Sequence, residues 1–178
     1  MDTALCMHRL DGRSDEDLVV LAAHGEAQSF AILAERYRTK AMRIAYGILH
    51  NRADAEDAVQ NAFIRAYRNL GKGRRFNSWL YKIVVNESIR ILRARRETAD
   101  EVEPAVSLDV DRIMLVRKCL ASLPETYRTV LALRGLEELD YAEIADILGL
   151  PIGTVRSRLH EARRLFAECW KELMSDEI

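Results

Sequence analysis

The stretch DYAEIADILGLPIGTVRSRLHEARR, residues 140–164, contains two short amphipathic segments separated by a tight turn. Asp140 and Glu143 have the spacing of a capping box, which predicts that a helix begins there. Gly149 follows the last apolar residues of this helix and predicts a sharp turn before a second helix that begins near residue 152. This order of helix, glycine turn and helix is the spacing of a helix-turn-helix motif.

One apolar face is expected to run through both helices of this motif and to turn inward. Its predicted members are Ile144, Leu148, Ile152, Val155, Leu159 and Ala162. In a helix-turn-helix protein the second helix enters the major groove of DNA. The candidate DNA-contacting residues on it are Gly153, Thr154, Arg156, Ser157, Arg158, His160, Glu161, Arg163 and Arg164. The alternative is a solvated basic face on an ordinary helical hairpin.

These candidates offer three kinds of contact with DNA. The backbone amides of Gly153 and Thr154, at the start of the helix, can hold a phosphate. Arginines such as Arg156 can make bidentate hydrogen bonds to guanine, and Glu161 can accept a hydrogen bond from cytosine. The segment is therefore predicted to read DNA sequence.

The composition of the chain predicts a folded, helix-rich, soluble protein. Its 178 residues are 49% apolar and 31% charged, with only three prolines and eight glycines, which disfavours an all-β fold. The first residues lack the apolar core of a secretory signal, and the longest aliphatic run, at 18–23, is far too short to span a membrane. We therefore expect a cytoplasmic protein of one domain or two small ones.

The net charge of −1 conceals two strongly charged regions. Residues 65–96 carry ten basic side chains against Glu87, whereas residues 97–112 carry six acidic side chains against Arg112. The local field, and not the net charge, steers a polyanion to a surface. The basic region is therefore a second candidate for contact with nucleic acid.

Helical periodicity extends through most of the chain. Segments with this pattern lie at about 14–24, 27–50, 51–70, 76–96, 111–122, 125–135, 140–148 and 152–173. Residues 97–110 are acidic, contain Pro104 and lack periodicity, which predicts a flexible linker. We therefore predict an all-α fold with two small helical domains, at 14–96 and 111–175, joined by this linker.

Residues 53–67, ADAEDAVQNAFIRAY, place acidic and amide side chains together on one helix face. Asp54, Asp57 and Asn61 share this face, and Gln60 lies beside it. Such a face is either ordinary solvated surface or a docking site for a basic helix of a partner protein. The residues themselves do not decide between these alternatives.

Residues 74–96, RRFNSWLYKIVVNESIRILRARR, interleave aromatic and basic side chains. This combination suits single-stranded nucleic acid, because bases stack on rings while cations follow the backbone. Core packing is the alternative for the aromatic residues, and we expect Trp79 to pack with Ile83 and Val84. Asn86 is a polar residue among valines, and we expect a specific contact for its side chain.

The cysteines and other reactive residues show no pattern typical of catalysis. Cys6, Cys119 and Cys169 are widely spaced, which argues against a disulfide framework, and the latter two occupy apolar helix positions typical of inert core thiols. A metal site formed by Cys6 and His8 is an alternative for the N-terminal residues. We find no nucleophile motif, metal-ligand cluster or phosphate-binding loop, so we expect no catalytic residue, no cofactor and no enzymatic activity.

Taken together, three stretches resemble the extracytoplasmic-function (ECF) group of bacterial RNA polymerase sigma factors, in the sigma-70 family. They are DAEDAVQNAFIRAY, FNSWLYKIVVN and the block from LPETYRTVLALRG to the end of the helix-turn-helix, and the resemblance covers roughly 15–173. It implies sigma region 2 at 14–96, for polymerase docking and for recognition and melting of the minus-10 element. It also implies sigma region 4 at 111–175, for recognition of the minus-35 element, with the acidic linker in the place of region 3.

The resemblance also assigns roles to residues. The polymerase-docking set, for the clamp helices of the largest subunit, is Asp54, Asp57, Gln60 and Asn61. The minus-10 set, for unpaired bases and nearby phosphates, is Lys72, Arg74, Arg75, Phe76, Asn77, Asn86, Arg90 and Arg93, and Arg95 and Arg96 are further phosphate contacts. The minus-35 set is the group named above on the second helix of the helix-turn-helix. The implied partners are core RNA polymerase, including the flap of its second-largest subunit, promoter DNA in double- and single-stranded form, and an anti-sigma factor, often membrane-anchored.

Three features depart from the pattern of this family. Glu161 stands where the family commonly has arginine, which bears on the minus-35 sequence that is preferred. Asn61 stands where an acidic residue is common, which bears on the polymerase contact. The loop at 71–77, GKGRRFN, is short, which bears on the residues of the minus-10 pocket.

Two other functions are compatible with parts of this sequence. A sigma mimic that sequesters a regulator would bind protein alone, and would not need Arg156, Arg158 or the basic run at 90–96. A helix-turn-helix repressor would bind operator DNA as a dimer without polymerase, and would not need Asp57 and Gln60. The sequence therefore favours an alternative sigma factor over both.

Overall fold

The computed structural model describes residues 12–71, 75–98, 111–137 and 139–175, and these form eight α-helices. The first four are α1 (Asp15–Ala23), α2 (Ala27–Leu49), α3 (Arg52–Arg68) and α4 (Phe76–Thr98). The other four are α5 (Asp111–Ser122), α6 (Glu125–Glu137), α7 (Tyr141–Leu148) and α8 (Ile152–Ser175). The predicted all-α fold is confirmed, and every helix boundary lies within two residues of its predicted position. In the described ranges, no helix combines the length and the apolar character needed to cross a membrane.

Side-chain caps fix the starts of several helices. The Asn51 side chain accepts a hydrogen bond from the amide of Asp54 at 3.0 Å, and Ser14 caps α1 in the same way. At the start of α7, Asp140 accepts from the amide of Glu143 and the Glu143 carboxylate accepts from the amide of Asp140, each at 2.8 Å. The capping box predicted from the sequence is therefore confirmed.

Helices α1 to α4 form a first bundle around an apolar centre. Its fully buried side chains include Leu18, Leu33, Ile44, Ile48, Leu80 and Val84. Small residues of α3, Ala55, Ala58 and Ala62, are also fully buried, which lets α3 approach its neighbours closely. The opposite face of α3, which carries the acidic and amide residues, is left toward solvent.

Helices α5 to α8 form a second bundle that contains the helix-turn-helix. Gly149 ends α7 in the left-handed conformation, with φ at 65°, which costs other residues about 1–2 kcal/mol. The amide of Leu150 donates to the carbonyl of Ala145 at 3.0 Å and completes the turn. Ile144, Val155, Leu159 and Ala162 are buried, as predicted.

The predicted apolar face of this motif is wrong at one position. Ile152 is 47% exposed, and Ile147, which is 2% exposed, takes part in the core instead. A helical side chain leans toward the turn that precedes it, and Ile152 begins α8, so it has no preceding turn to cover.

The predicted linker begins two residues too early. The helix α4 continues through Glu97 to Thr98, because a change to acidic composition removes no backbone hydrogen bond and neither residue breaks a helix. Residues 99–110 lie outside the described residues, as do Cys6 and His8.

The two bundles pack against each other. α2 lies against α6 and α4 lies against α7, and buried residues of both bundles belong to one continuous apolar cluster. The sequence predicts two domains on a tether but gives no sign of this contact. This contact between the bundles determines which faces of the helices are open to partners.

Candidate nucleic-acid and polymerase interfaces

The first half of α8 presents a basic and polar face to solvent. Val155 and Leu159 are buried and fix the rotation of the helix on the rest of its bundle. The exposed residues on the other side are Gly153, Arg156, Ser157, His160, Arg163 and Arg164. The amide of Thr154 donates to the carbonyl of Pro151 at 2.9 Å, so it is engaged within the first helical turn. The amide of Gly153 is therefore the better donor for a phosphate.

Arg164 is tied to carboxylates of its own helix. Its Nη2 and Nε atoms lie 2.6 and 3.0 Å from the two carboxylate oxygens of Glu161, and Nη1 donates to Glu168. The hydrogen bonds to Glu161 and then to Glu168 raise the pKa of Arg164, and the hydrogen bond from Arg164 lowers the pKa of Glu161. The predicted roles of Glu161 toward cytosine and of Arg164 toward DNA therefore compete with their pairing. The sequence does contain a signal for these pairs, because Glu161 lies three residues before Arg164 and Glu168 lies four residues after it, and such spacings place side chains together on one helix face.

Glu87 joins α3 to α4 through a buried carboxylate. The residue is 2% exposed, and its carboxylate accepts hydrogen bonds from Arg65 of α3 and from Arg90, whose Nε lies at 3.0 Å. Burial alone would raise the pKa of Glu87, but the hydrogen bonds and charges of Arg65 and Arg90 outweigh it and lower the pKa. Arg90, predicted to contact phosphate, therefore already has a carboxylate partner.

Two further arginines of α4 pair with acids outside their own helix. Arg93 forms two hydrogen bonds with Glu125 of α6, at 2.9 and 3.1 Å. Arg95 donates from Nη1 to the Asp54 carboxylate at 2.9 Å. The basic run that the sequence shows is therefore partly neutralised by acids that are distant in the chain.

Phe76 lies in the interior of the first bundle. It is 5% exposed, and its ring centroid lies 5.4 Å from that of Tyr37, 6.1 Å from Trp79 and 6.4 Å from Phe30. The predicted use of Phe76 in the minus-10 set does not fit this position, because a buried ring cannot stack on a base. Trp79 is half-buried in the same aromatic group, which confirms the expected packing.

The other minus-10 candidates are spread over the start and middle of α4. Arg75 and Asn86 are exposed. Asn77 is half-buried, and its side-chain oxygen accepts from the amide of the next residue at 2.7 Å. Lys72 and Arg74 lie outside the described residues.

One face of α3 combines polar and apolar exposed residues. Asp57 and Gln60 are exposed, whereas Asn61 and Asp54 are half-buried and Asp54 is held by Arg95. Asp57 and Gln60 are therefore the members of the predicted docking set that are best placed to meet a partner.

Two apolar residues that the sequence analysis missed continue this face. Ile64 is 41% exposed and Tyr67 is 44% exposed, at spacings of four and three residues that follow Gln60 on the same side of the helix. The four residues Asp57, Gln60, Ile64 and Tyr67 are named the docking stripe. The sequence signal for Ile64 and Tyr67 was their spacing, which places two apolar side chains on the exposed polar face of the helix.

Comparison with known proteins identifies the family of this chain. The family models for sigma-70 region 2 and sigma-70 region 4 match residues 33–98 and 113–166. The ECF RNA polymerase sigma factor SigW of Bacillus subtilis is 32% identical over 175 residues, which cover 84% of this chain and 92% of SigW. The chain belongs to the ECF group of RNA polymerase sigma factors. It is an alternative sigma factor with region 2 in the first bundle and region 4 in the second.

Other relatives and solved structures are similar over nearly their whole length. The RNA polymerase sigma-H factor of Pseudomonas aeruginosa is 32% identical, over 94% of this chain and 99% of its own. CnrH, solved in complex with the cytosolic domain of CnrY, has a TM-score of 0.72 and 26% identity over 89% of this chain and 97% of its own. RpoE, solved in complex with the anti-sigma factor NepR from Bartonella quintana, has a TM-score of 0.64 and 26% identity over 81% of this chain and 98% of its own.

A cleft separates the two sigma regions on one side of the molecule. α4 of region 2 contributes Lys82 and Asn86 to it, and region 4 contributes Leu148, Leu150 and Arg158. Arg158 is half-buried there, unlike its exposed neighbours Arg156 and Ser157. The predicted minus-10 and minus-35 surfaces therefore meet at this cleft.

The prediction of a core thiol is confirmed for Cys119 but not for Cys169. Cys119 is fully buried, and burial followed by the neighbouring Cys169 thiol raises its pKa to about 12. It therefore remains a protonated thiol at neutral pH. Cys169 is half-buried, and its sulfur lies 3.7 Å from the Ser122 hydroxyl.

We expect the substitution Glu161→Gln to strengthen binding of double-stranded DNA. The change removes the ionised partner of Arg164 and leaves that guanidinium freer to contact a phosphate. Each additional phosphate contact steepens the slope of the logarithm of the DNA-binding constant, plotted against the logarithm of the salt concentration, by about 0.9. Fluorescence anisotropy with a labelled duplex between low and moderate salt would measure this slope.

Glu172→Gln is the matched control, because it removes the same charge from an exposed position farther along α8. The salt dependence of DNA binding by Glu172→Gln should have the same slope as that of wild type. Equal slopes for the two variants would show that Glu161 acts only through the overall charge.

Proposed function

We propose that this sigma factor docks on core RNA polymerase through the docking stripe of α3 and directs it to promoters that α4 and α8 recognise. The functional units are region 2 at 14–98 and region 4 at 111–175, joined by the acidic segment 99–110. The observation that carries the proposal is the combination of a mixed polar and apolar stripe on one bundle with a basic, solvent-facing recognition helix on the other. A repressor would need only the second of these surfaces.

Region 4 reads the minus-35 element with the first half of α8. The amide of Gly153 binds a phosphate at the positive end of the helix, and Arg156, Ser157 and His160 face the bases. The flap of the second-largest polymerase subunit holds region 4 in position.

Region 2 recognises the minus-10 element with the start and middle of α4. Extrusion of a base from the duplex costs a few kcal/mol, and polar contacts to the extruded base offset this cost. Arg75, Asn77 and Asn86 supply such contacts, and Phe76 supports them from inside the bundle. Arg90 and Arg93 must exchange their carboxylate partners for phosphates.

Polymerase makes this recognition specific by holding both regions at one spacing. Each region alone offers a small contact with DNA. When both are fixed on one scaffold, the second contact benefits from a high effective concentration. The chain thereby confers specificity on polymerase in the cytoplasm and performs no chemistry of its own.

An anti-sigma factor is a further proposed partner. The solved structures of CnrH and RpoE contain, respectively, the cytosolic domain of CnrY and the anti-sigma factor NepR. The similarity of this chain to both, across regions 2 and 4, supports a partner of the same kind.

Run-off transcription on fragmented genomic DNA tests this proposal. Purified core polymerase is used with and without this chain, and the 5′ ends of the RNA are sequenced. Defined starts that require the chain establish a sigma factor, and the aligned upstream sequences give its promoter elements. Binding to polymerase without any starts would favour a sigma mimic, and binding to DNA without polymerase would favour a repressor.

We expect Asp57→Ala to weaken binding to core polymerase by roughly tenfold or more while the fold is retained. A hydrogen bond to a charged group contributes about 1.5–3 kcal/mol, and Asp57 is exposed on the docking stripe. Surface plasmon resonance with immobilised core polymerase measures the dissociation constant. Glu35→Ala is the matched control, because Glu35 is an exposed acid of the same bundle that lies on α2 and not on the helix of the stripe. Equal losses in both variants would contradict the assigned stripe.

A further inference from the structure

Two cysteines of region 4 meet in the fold although they are 50 residues apart in the chain. Cys119 lies in α5 and Cys169 lies in α8, and these two helices pack against each other. A hydrogen bond joins the two thiol groups. Region 4 therefore holds an adjacent pair of free thiols that has no part in polymerase docking or in DNA recognition.

The rotation of α8 turns Cys169 toward the interior of region 4. Val155, Ala162 and Cys169 follow one another at intervals of seven residues, which places them on one face of the helix. Val155 and Ala162 are fully buried. The packing that turns the recognition residues toward solvent therefore also holds Cys169 against α5.

The two thiols differ in their access to dissolved molecules. Cys119 is fully buried, whereas Cys169 is half-buried. The exposed Ser122 lies beside both, with its hydroxyl oxygen 3.7 Å from the sulfur of Cys169 and 2.9 Å from the carbonyl oxygen of Cys119. Burial, followed by the Cys169 thiol, raises the pKa of Cys119 to about 12, which leaves little of the reactive thiolate at neutral pH. A dissolved oxidant therefore meets Cys169 first.

We propose that Cys119 and Cys169 are a redox-active pair, which hydrogen peroxide converts into a disulfide that locks the helix-turn-helix into region 4. This proposal is independent of the proposed sigma function. The pair is already in hydrogen-bonding contact, so the second thiol meets the first oxidised sulfur without diffusion through solvent. Rotation of the two side chains brings the sulfurs to the bonding distance of about 2.05 Å.

The reaction proceeds in two balanced steps. The Cys169 thiolate attacks one peroxide oxygen, the O–O bond breaks, and Cys169 becomes a sulfenic acid. The hydroxide that leaves takes up the proton lost by the Cys169 thiol and becomes water. The Cys119 thiol then attacks the Cys169 sulfur, the S–O bond breaks, and the second hydroxide leaves with the Cys119 proton as water. The two thiols lose two electrons, and one peroxide is reduced to two waters.

The disulfide encloses the whole helix-turn-helix in one covalent loop. The segment between Cys119 and Cys169 contains α6, α7 and most of α8. A cross-link across a loop of this length restricts the unfolded chain and so favours the folded state. Arg156 and the other recognition residues lie in the first half of α8, away from Cys169, so the DNA-contacting face is retained in the oxidised protein.

Peptide mapping of the full chain tests whether the bond forms. A Cys6→Ser background removes the third thiol, and the protein is treated with hydrogen peroxide, alkylated and cleaved with trypsin. Trypsin cuts after lysine and arginine and releases Cys119 in the peptide 119–128 and Cys169 in the peptide 165–171. We expect these two peptides to appear as one species, lighter by two hydrogen atoms than their sum, and dithiothreitol should restore both.

Thermal unfolding tests whether the bond locks region 4. Fluorescence of Trp170 in a Trp79→Phe background reports on α8, and oxidation should raise the midpoint of unfolding by roughly 5–15 °C. Cys169→Ser is the matched control, because serine has nearly the shape of the half-buried cysteine and cannot form the bond. Hydrogen peroxide should leave the midpoint of this variant unchanged.

Three results would overturn the proposal. Oxidation could stop at Cys169, or link two chains, while Cys119 stays a thiol that is alkylated only after unfolding. The cross-link could form without raising the midpoint of unfolding, which would exclude a lock. Cys169→Ser could show the same rise as its parent, which would place the effect of peroxide at other residues. These readouts use neither polymerase nor DNA, so they stand or fall separately from transcription.

Discussion

Replacing Arg65 with methionine is expected to lower the free energy of unfolding of region 2 by about 2 kcal/mol at pH 7. The carboxylate of Glu87 is buried and depends on Arg65 and Arg90 for compensation of its charge. Removal of one partner from a fully buried pair costs about 3–5 kcal/mol. The loss expected for Arg65→Met is smaller than this because the Arg65 side chain is 62% exposed to water. In addition, Nε of Arg90 remains 3.0 Å from the Glu87 carboxylate.

The reciprocal substitution, Glu87→Gln, should cost about 1 kcal/mol or less. A buried glutamine has no charge that requires compensation, and the two exposed guanidinium groups return to water. The double variant Arg65→Met/Glu87→Gln should therefore be close in stability to Glu87→Gln alone. The double-mutant cycle isolates the coupling between the two residues.

The destabilisation caused by Arg65→Met should shrink as the pH falls. In wild type the pKa of Glu87 is lowered from the ordinary value of about 4.3, so its contribution to stability is fully present above that value and is lost as the pH falls through the folded pKa. In Arg65→Met the pKa of Glu87 in the folded protein is higher than in wild type. Ionised Glu87 therefore contributes less stability to the variant, and less can be lost as the pH falls. The two proteins should converge as the pH falls through the lowered pKa of Glu87 in folded wild type.

Urea unfolding followed by tryptophan fluorescence measures this effect in one region. The chain has two tryptophans, Trp79 in α4 and Trp170 in α8, so a Trp170→Phe background leaves a probe of region 2 alone. The free energies of unfolding of Arg65→Met and its parent could instead differ by a constant amount from pH 7 to below pH 4. That result would show that the ion pair is not the source of the destabilisation.

The helices of this protein could be predicted from its sequence because their signals are local. The Asp140 and Glu143 capping box, the left-handed Gly149 and the alternation of buried and exposed residues all act within one or two helical turns. The same local spacing placed Asp57 and Gln60 on an exposed face of α3 and Arg156 on an exposed face of α8.

The contacts that neutralise or cover the site residues could not be predicted in this way. Arg93 and Glu125 are 32 residues apart, and they meet only because α4 packs against the second bundle. The position of Phe76 was equally undetermined, since an aromatic residue among basic ones suits both a core and a stacking surface. The Arg164 and Glu161 pair is local and could have been found from its three-residue spacing.

Arg156→Ala is expected to reduce specific promoter binding by about 1–3 kcal/mol, or roughly fivefold to 150-fold. Arg156 is exposed in the second turn of α8, and the N-terminal residues of a recognition helix reach the base edges. Arg164→Ala should have a much smaller effect, because that guanidinium is already held by Glu161 and Glu168. Binding of the polymerase holoenzyme to promoters found by run-off transcription, compared with scrambled minus-35 sequences, measures the difference. Equal losses for the two alanine variants would contradict the assignment.

Arg156→Lys distinguishes reading of a base from attraction to a phosphate. Lysine keeps the positive charge but cannot reproduce the planar, bidentate hydrogen bonds that guanidinium makes with guanine. If Arg156 reads a base, Arg156→Lys should lose discrimination against scrambled minus-35 sequences nearly as Arg156→Ala does, while its salt dependence stays that of wild type. If Arg156 only contacts phosphate, lysine should restore affinity on every sequence, and base recognition must then come from Ser157 and His160.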